Sequence, residues 1–212
     1  MTYSKDNIVS CIIIILHLVG VVGTAIPVTR ELVVSLTPFN LLITFGLLTY
    51  CHRGSIAHLI YFILLSTTIG FGVEVLGVTT GWPFGNYAYG ETLGFKLFDV
   101  PLLIGINWFI LAYCFGVISS QLDMHPAMKI LVAAGAMVGL DFFIEPIAIR
   151  LDYWSWENNI IPASNYIGWL GTALIIQVLF HFLLRKSFNK QSTITVSSQA
   201  FYFIILQIFF KF

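Results

Sequence analysis

Asp141 and Glu145 stand four residues apart in the stretch LDFFIEP, with Pro146 directly after them. On a helix that spacing puts both carboxyls on one face. Pro146 removes a backbone hydrogen bond and bends the helix there. A third acid, Glu74, sits in another apolar run, FGVEVLGV. Ionised groups in hydrocarbon are costly and mark functional cavities. Two neighbouring buried carboxyls favour sharing one proton, because burial and a nearby negative charge both disfavour full ionisation. The pair is then an acid and a proton acceptor in one site. For Glu74 alone, a structural role as partner to a backbone group or tyrosine hydroxyl stays open beside the catalytic one.

The elements that must hold these acids are membrane helices. Of 212 residues, 58% are hydrophobic and 9% charged, and the mean hydropathy is +0.91; soluble domains carry about 25% charged residues. Runs at 8–26, 32–50, 56–78, 101–120, 127–149 and 166–184 approach the ~20 apolar residues that cross a bilayer. The first follows only Lys5 and lacks a small-x-small cleavage site, so it reads as a retained helix. A seventh run, 199–212, is short, and spanning or lying at the interface both remain open for it. The polar stretch 187–198 reads as an exposed connector. The fold class expected is a single all-α polytopic bundle over 1–212, with six to seven transmembrane helices and a re-entrant or interfacial aromatic loop.

The N-terminal end carries Lys5, Arg53, Lys129, Arg185, Lys186 and Lys190; the opposite end carries Arg30, Lys96, Arg150 and, if the tail spans, Lys211. The bias favours a cytoplasmic N-terminal end. Both long connections, 79–100 and 150–165, fall at the opposite end, and both are aromatic and acidic. At 1.5 Å per residue, Glu74 lies roughly 6 Å and Asp141 roughly 12 Å from that end of their runs. Asn107 reaches a similar depth from a third run. Glu91 and Asp99 read as interfacial charges or caps, and Asp152 and Glu157 as water-facing or at a cavity mouth.

Net charge is zero, which leaves no nucleic-acid footprint. Cys11, Cys51 and Cys114 are too scattered for a disulfide framework and read as buried thiols. His17 and His181 are lone histidines in apolar runs, and His52 and His58 are six apart, off a common helical face. With no HExxH and no Cys/His cluster, no metal is expected, and no phosphate loop or nucleophile elbow is present.

Three segments, GWPFGNYAYGETLGFKLFDVPLLIGINW (81–108), LDFFIEPIAIRLDYWSWENN (140–159) and IPASNYIGWLG (161–171), come in an order and at separations that resemble the integral-membrane carotenoid biosynthesis family. That family includes carotenoid 1,2-hydratases of γ-carotene and bacterioruberin-type pathways. Its usual D-x-x-x-D-P pattern is met here with Glu145 before the proline, one methylene longer. The resemblance implies a bacterial or archaeal cytoplasmic membrane and a cofactor-independent hydro-lyase. Its substrate is a lipid-dissolved polyene with an acyclic isoprenoid end, water is the co-substrate, and other carotenoid-pathway enzymes are candidate partners. Protonating a terminal trisubstituted double bond requires a carboxylic acid, for which Asp141 and Glu145 are the candidates. The tertiary cation that forms is stabilised by aromatic faces, at roughly 0.5–2 kcal/mol each: Trp82, Tyr87, Tyr89, Trp108, Trp154 and Trp156. Asn86 and Asn107 are candidates to hold the attacking water, and Glu74 or the spent carboxylate to take its proton. Interfacial belts also use Trp and Tyr, so most of these rings are expected to be anchors.

The same acids serve a lycopene-type cyclase, in which an internal double bond attacks the cation and a proton is lost. A magnesium-dependent prenyltransferase needs more acids and cations than DFFIE and its neighbours offer. A non-catalytic carotenoid-binding protein has an aromatic slot but no need for paired acids.

Overall fold

A computed structural model describes residues 5–185 and 187–211; Lys186 and the extreme ends of the expected domain lie outside them. The chain is an all-α bundle of α1 (Lys5–Ala25), α2 (Pro27–Ser35), α3 (Thr37–Tyr50), α4 (Ile56–Thr80), α5 (Leu102–Ser120), α6 (Pro126–Arg150), α7 (Ala163–Leu183) and α8 (Lys190–Phe210). Four short strands join them: β1 (Tyr87–Tyr89), β2 (Lys96–Leu97), β3 (Val100–Pro101) and β4 (Trp154–Trp156). Helices α1, α4, α5, α6, α7 and α8 are long and apolar enough to cross a membrane.

The run 32–50 is not one straight span. Helices α2 and α3 meet at a 52° bend and count as one crossing only together. Pro38 explains the break, since it sits in the first turn of α3, where a missing amide hydrogen costs nothing, and cannot continue the hydrogen bonding of α2. The connector expected at 187–198 is a second correction. Most of it is the first half of α8, and Asn189, Gln191, Ser192 and Thr195 are buried. Hydropathy missed this because Asn189 and Gln191 find partners inside the bundle. Gln191 donates to the Asp6 carbonyl at 2.9 Å and accepts from Ser10 at 3.0 Å. Asn189 donates to the Leu48 carbonyl at 2.8 Å. The short tail helix is thereby a 21-residue helix.

Contacts between helix ends fix which ends lie together. Lys5 donates to the Tyr50 carbonyl, Arg53 pairs with Asp6, and Arg53 bridges Phe188, all at the N-terminal end. Phe210 lies under the guanidinium groups of Arg30 and Arg150 at the other. Helix α5 is central, with every residue from Trp108 to Cys114 fully buried; its all-round apolar sequence requires that. Cys51 and Cys114 are buried, whereas Cys11 faces outward, contrary to expectation.

At the far end the two aromatic connections form one cap. Gly81 stops α4 in the left-handed conformation (φ +74°), its amide returning to the Gly77 carbonyl. The chain then folds back so that β1 pairs antiparallel with β4, Tyr87 opposite Trp156 and Tyr89 opposite Trp154. Lys96 secures the cap by donating to the Tyr89 carbonyl at 2.8 Å and to Glu91 at 2.7 Å.

Candidate active site

Strand periodicity sets the chemistry of the cap. Residues two apart on a strand share a face, so Tyr87, Tyr89, Trp154 and Trp156 all turn inward, while Ala88 and Ser155 are exposed. The two phenols reach one acid and the two indoles another. Tyr87 and Tyr89 donate to Glu74 Oε2 at 2.5 and 2.7 Å, and Trp108 Nε1 donates to Oε1 at 3.0 Å. Trp154 and Trp156 donate to Glu145 Oε2 at 3.0 and 2.8 Å. Burial, reinforced by the Glu74 carboxyl, pushes both phenols well above the usual tyrosine range, so they stay hydroxyl donors.

Asn165, in the first turn of α7, joins the remaining acid. Its amide donates to Glu145 Oε1 at 2.9 Å and to Asp141 Oδ2 at 3.2 Å. Asp141 Oδ1 has no hydrogen-bond partner among the described residues. The three acids are 4%, 1% and 0% exposed for Glu74, Glu145 and Asp141. Helix α6 continues through Pro146 to Arg150, and Gln207 of α8 donates to the Phe143 carbonyl at 2.7 Å in the turn the proline loosens.

Glu74 and Glu145 face a cavity of about 20 Å³, walled by Phe84, Tyr87, Tyr89, Trp108, Trp154, Trp156, Asn165 and Trp169 and closed by Ile104 and Asn107. A water needs roughly 10–15 Å³ of such space, so the cavity is water-sized. Trp108 and Trp169 stack on each other in its wall, with centroids 4.2 Å apart. Ile104, Asn107 and Trp154 also line a second, apolar chamber of about 350 Å³ between α1, α3, α5 and α8. Its rim carries the outward-facing Val19, Leu36, Phe39 and Ile43, so it opens on the surface that meets lipid.

The model of the carotenoid biosynthesis protein family matches residues 32–212. The chain belongs to this family. The match is wider than the three motifs that suggested it, taking in the end of α2 and all of α3 and α8 but not α1. The chain is also 30% identical over 124 residues to bisanhydrobacterioruberin hydratase of Haloarcula japonica, which covers 55% of this chain and 42% of that protein. The chain thus spans less than half of the relative it matches. No solved structure matches it. Membership assigns this multi-pass membrane protein a role in carotenoid biosynthesis.

In this family member, Glu74, Glu145, Tyr87, Tyr89, Asn107, Trp108, Trp154 and Trp156 come together around the small cavity. Three expected residues do not. Trp82 is 66% exposed, turned outward by the tight turn after α4. Asn86 is occupied outside, donating to Glu157 at 2.8 Å, which also gives Glu157 its partner. Asp141 lies behind Glu145 and does not line the cavity. The residues not anticipated are Asn165, Phe84 and Trp169, together with the chamber walls from α1 and α8. IPASNYIGWLG contains two of them, but nothing local to it says that its asparagine meets acids 20 and 24 residues earlier.

The fit around Glu74 is close. A Cβ on Gly77 would lie 2.7 Å from the Tyr87 hydroxyl and 2.8 Å from Phe84. Gly77→Ala is therefore expected to displace Tyr87 and cost about 1–3 kcal/mol, read as a lowered melting temperature in detergent.

Proposed function

We propose that the protein adds water across the terminal 1,2 double bond of an acyclic carotenoid end group by acid catalysis. The observation that carries this reading is the water-sized cavity between Glu74 and Glu145, which shares the wall residues Ile104, Asn107 and Trp154 with an apolar chamber. The isoprenoid end enters the chamber from lipid and presents its alkene at the junction of Ile104, Asn107 and Trp154. The rest of the chain stays in the bilayer, since 350 Å³ is at the small end of ligand pockets.

Asp141, Asn165 and Glu145 hold one proton as a unit, and Glu145, the member at the cavity, delivers it to the CH carbon of the terminal double bond, not to the carbon that bears the two methyl groups. The electron pair of the double bond forms the new C–H bond and leaves a tertiary cation. The faces of Trp108, Trp154, Trp156 and Tyr87 surround that charge. A water held by Asn107 attacks the cation and gives its proton to Glu74, whose three donors stabilise the carboxylate until the reaction. Proton return from Glu74 to Glu145 across the cavity restores the starting state. The indole and amide N–H groups on Glu145 occupy the lone pairs a magnesium ion would use, which favours proton chemistry over diphosphate chemistry.

Expression in a host that accumulates an acyclic carotenoid tests the reading. The expected product is the substrate plus one H2O by mass spectrometry. A product of unchanged mass with a ring would show the cyclase. Retention of unaltered pigment by the purified protein would show a binding protein.

A further inference from the structure

The cavity between Glu74 and Glu145 is water-sized, and a hydration consumes one water at each turnover, so the site must be refilled. Most polar groups in its wall are already committed. The Tyr87 and Tyr89 hydroxyls, the indoles of Trp108, Trp154 and Trp156, and the Asn165 amide all donate to the acids. Asn107 is different. Its half-buried side chain makes no hydrogen bond among the described residues, and it lines the chamber as well as the cavity.

Asn107 is the inner end of a polar strip in the chamber wall. Helices α3 and α5 both start at the capped end and run the same way, and Phe45 meets Phe109 edge-on with centroids 5.3 Å apart. From that shared level, at 1.5 Å per residue, Asn107 lies roughly 3 Å, Asn40 roughly 8 Å and Thr37 roughly 12 Å toward the capped end. All three line the chamber. Asn40 accepts from the Thr44 hydroxyl at 3.3 Å, which leaves its amide hydrogens for the chamber. At the outer level the Thr37 hydroxyl meets that of Tyr153 at 3.0 Å, and Tyr153 lies beside the hydroxyl of Tyr202. Thr37 stands where α3 breaks from α2, and α2 carries Arg30 and Glu31, so the strip begins near the membrane interface. Val19, Leu36, Phe39 and Ile43 give the same chamber an apolar side that opens to lipid.

We propose that Thr37, Asn40 and Asn107 form the entry route for the co-substrate water, which passes from the interface along α3 to Asn107 while the isoprenoid end takes the apolar side. The steps between them, roughly 4–5 Å along the axis, are within reach of a water making two hydrogen bonds of ~2.8 Å. A water crossing hydrocarbon without such partners would forfeit its hydrogen bonds. Tyr153 is a positioning residue that holds Thr37 at the entrance. The inference rests on the hydration reading of the site and adds how the second substrate arrives.

The cation formed at the acids has two fates. A water at Asn107 adds to it and gives its proton to Glu74. With no water there, the carbon that was protonated returns a proton to the Glu145 carboxylate, and the C–H electron pair restores the double bond. In D2O the acid delivers deuterium, so this return leaves label on part of the recovered alkene.

The test follows both fates at once, with the full chain in lipid nanodiscs in D2O, an acyclic carotenoid as substrate, and mass spectrometry of hydrated product and recovered alkene. Thr37→Val and Asn40→Leu are each expected to lower hydration about five- to tenfold, as loss of one net hydrogen bond allows. Deuterium exchange should persist, so the ratio of exchange to hydration rises by the same factor. Hydration and exchange falling together, as damage to the acids or to folding would give, overturns the proposal. So do wild-type values in both variants, which would place the water entrance in the cap. If the wild type itself neither hydrates nor exchanges, no acid reaches the alkene; the hydration reading has then failed, and the route falls with it.

Discussion

Glu145→Gln is expected to leave the protein folded and in the membrane while lowering hydration about 10²–10⁴-fold, the range for loss of a general acid. Glutamine has almost the same shape. Its carbonyl can take the two indole N–H groups that now reach Oε2. Its amide would then face the Asn165 amide, and Asn165 answers by turning over to present its oxygen. The packing is preserved and the transferable proton is lost. Asp141→Asn should act in the same direction but less, near the 10² end of that range, because Asp141 shares the proton without reaching the cavity. The measurement is hydrated product per unit of membrane protein, with thermal stability as the control. Undiminished product from Glu145→Gln would remove it as the acid and leave the proposed mechanism without a donor.

The second large effect separates chemistry from stability at Glu74. Three buried donors, two phenols and an indole, converge on this one carboxyl. Glu74→Leu orphans all of them, at about 1–3 kcal/mol each. The sum, roughly 3–9 kcal/mol, rivals the ~5–15 kcal/mol that holds a typical protein folded. That variant is expected to lose its cap and fail to accumulate. Glu74→Gln can turn its carbonyl to the Trp108 indole N–H, and both tyrosine hydroxyls can rotate to accept from the new amide. It should melt close to wild type yet hydrate about 10²-fold more slowly or worse, because the proton acceptor for the attacking water is gone. Melting curves in detergent and product analysis on the same samples check both halves. Wild-type turnover by a stable Glu74→Gln would leave Glu74 as a structural anchor of the cap.

Sequence alone determined what depends on neighbours along the chain. Apolar run length set the number of helices to within one, because crossing hydrocarbon imposes a length on any segment. The i, i+4 spacing of Asp141 and Glu145 set their common face, and counting crossings put both aromatic connections at one end. The three motifs in order identified the family before any coordinate. Only the tertiary structure decided what depends on partners distant in sequence. YAY and WSW are three-residue segments with no local preference strong enough to declare them strands, and they become a sheet because each completes the other's backbone hydrogen bonds. That pairing turns four rings inward and divides their donors between Glu74 and Glu145. Asn165 bridges the acids, Asn86 is drawn off to Glu157, and α8 buries its polar half, all through contacts that no window of hydropathy contains. The chamber belongs to no single segment, since helices from both ends of the chain must pack before it exists.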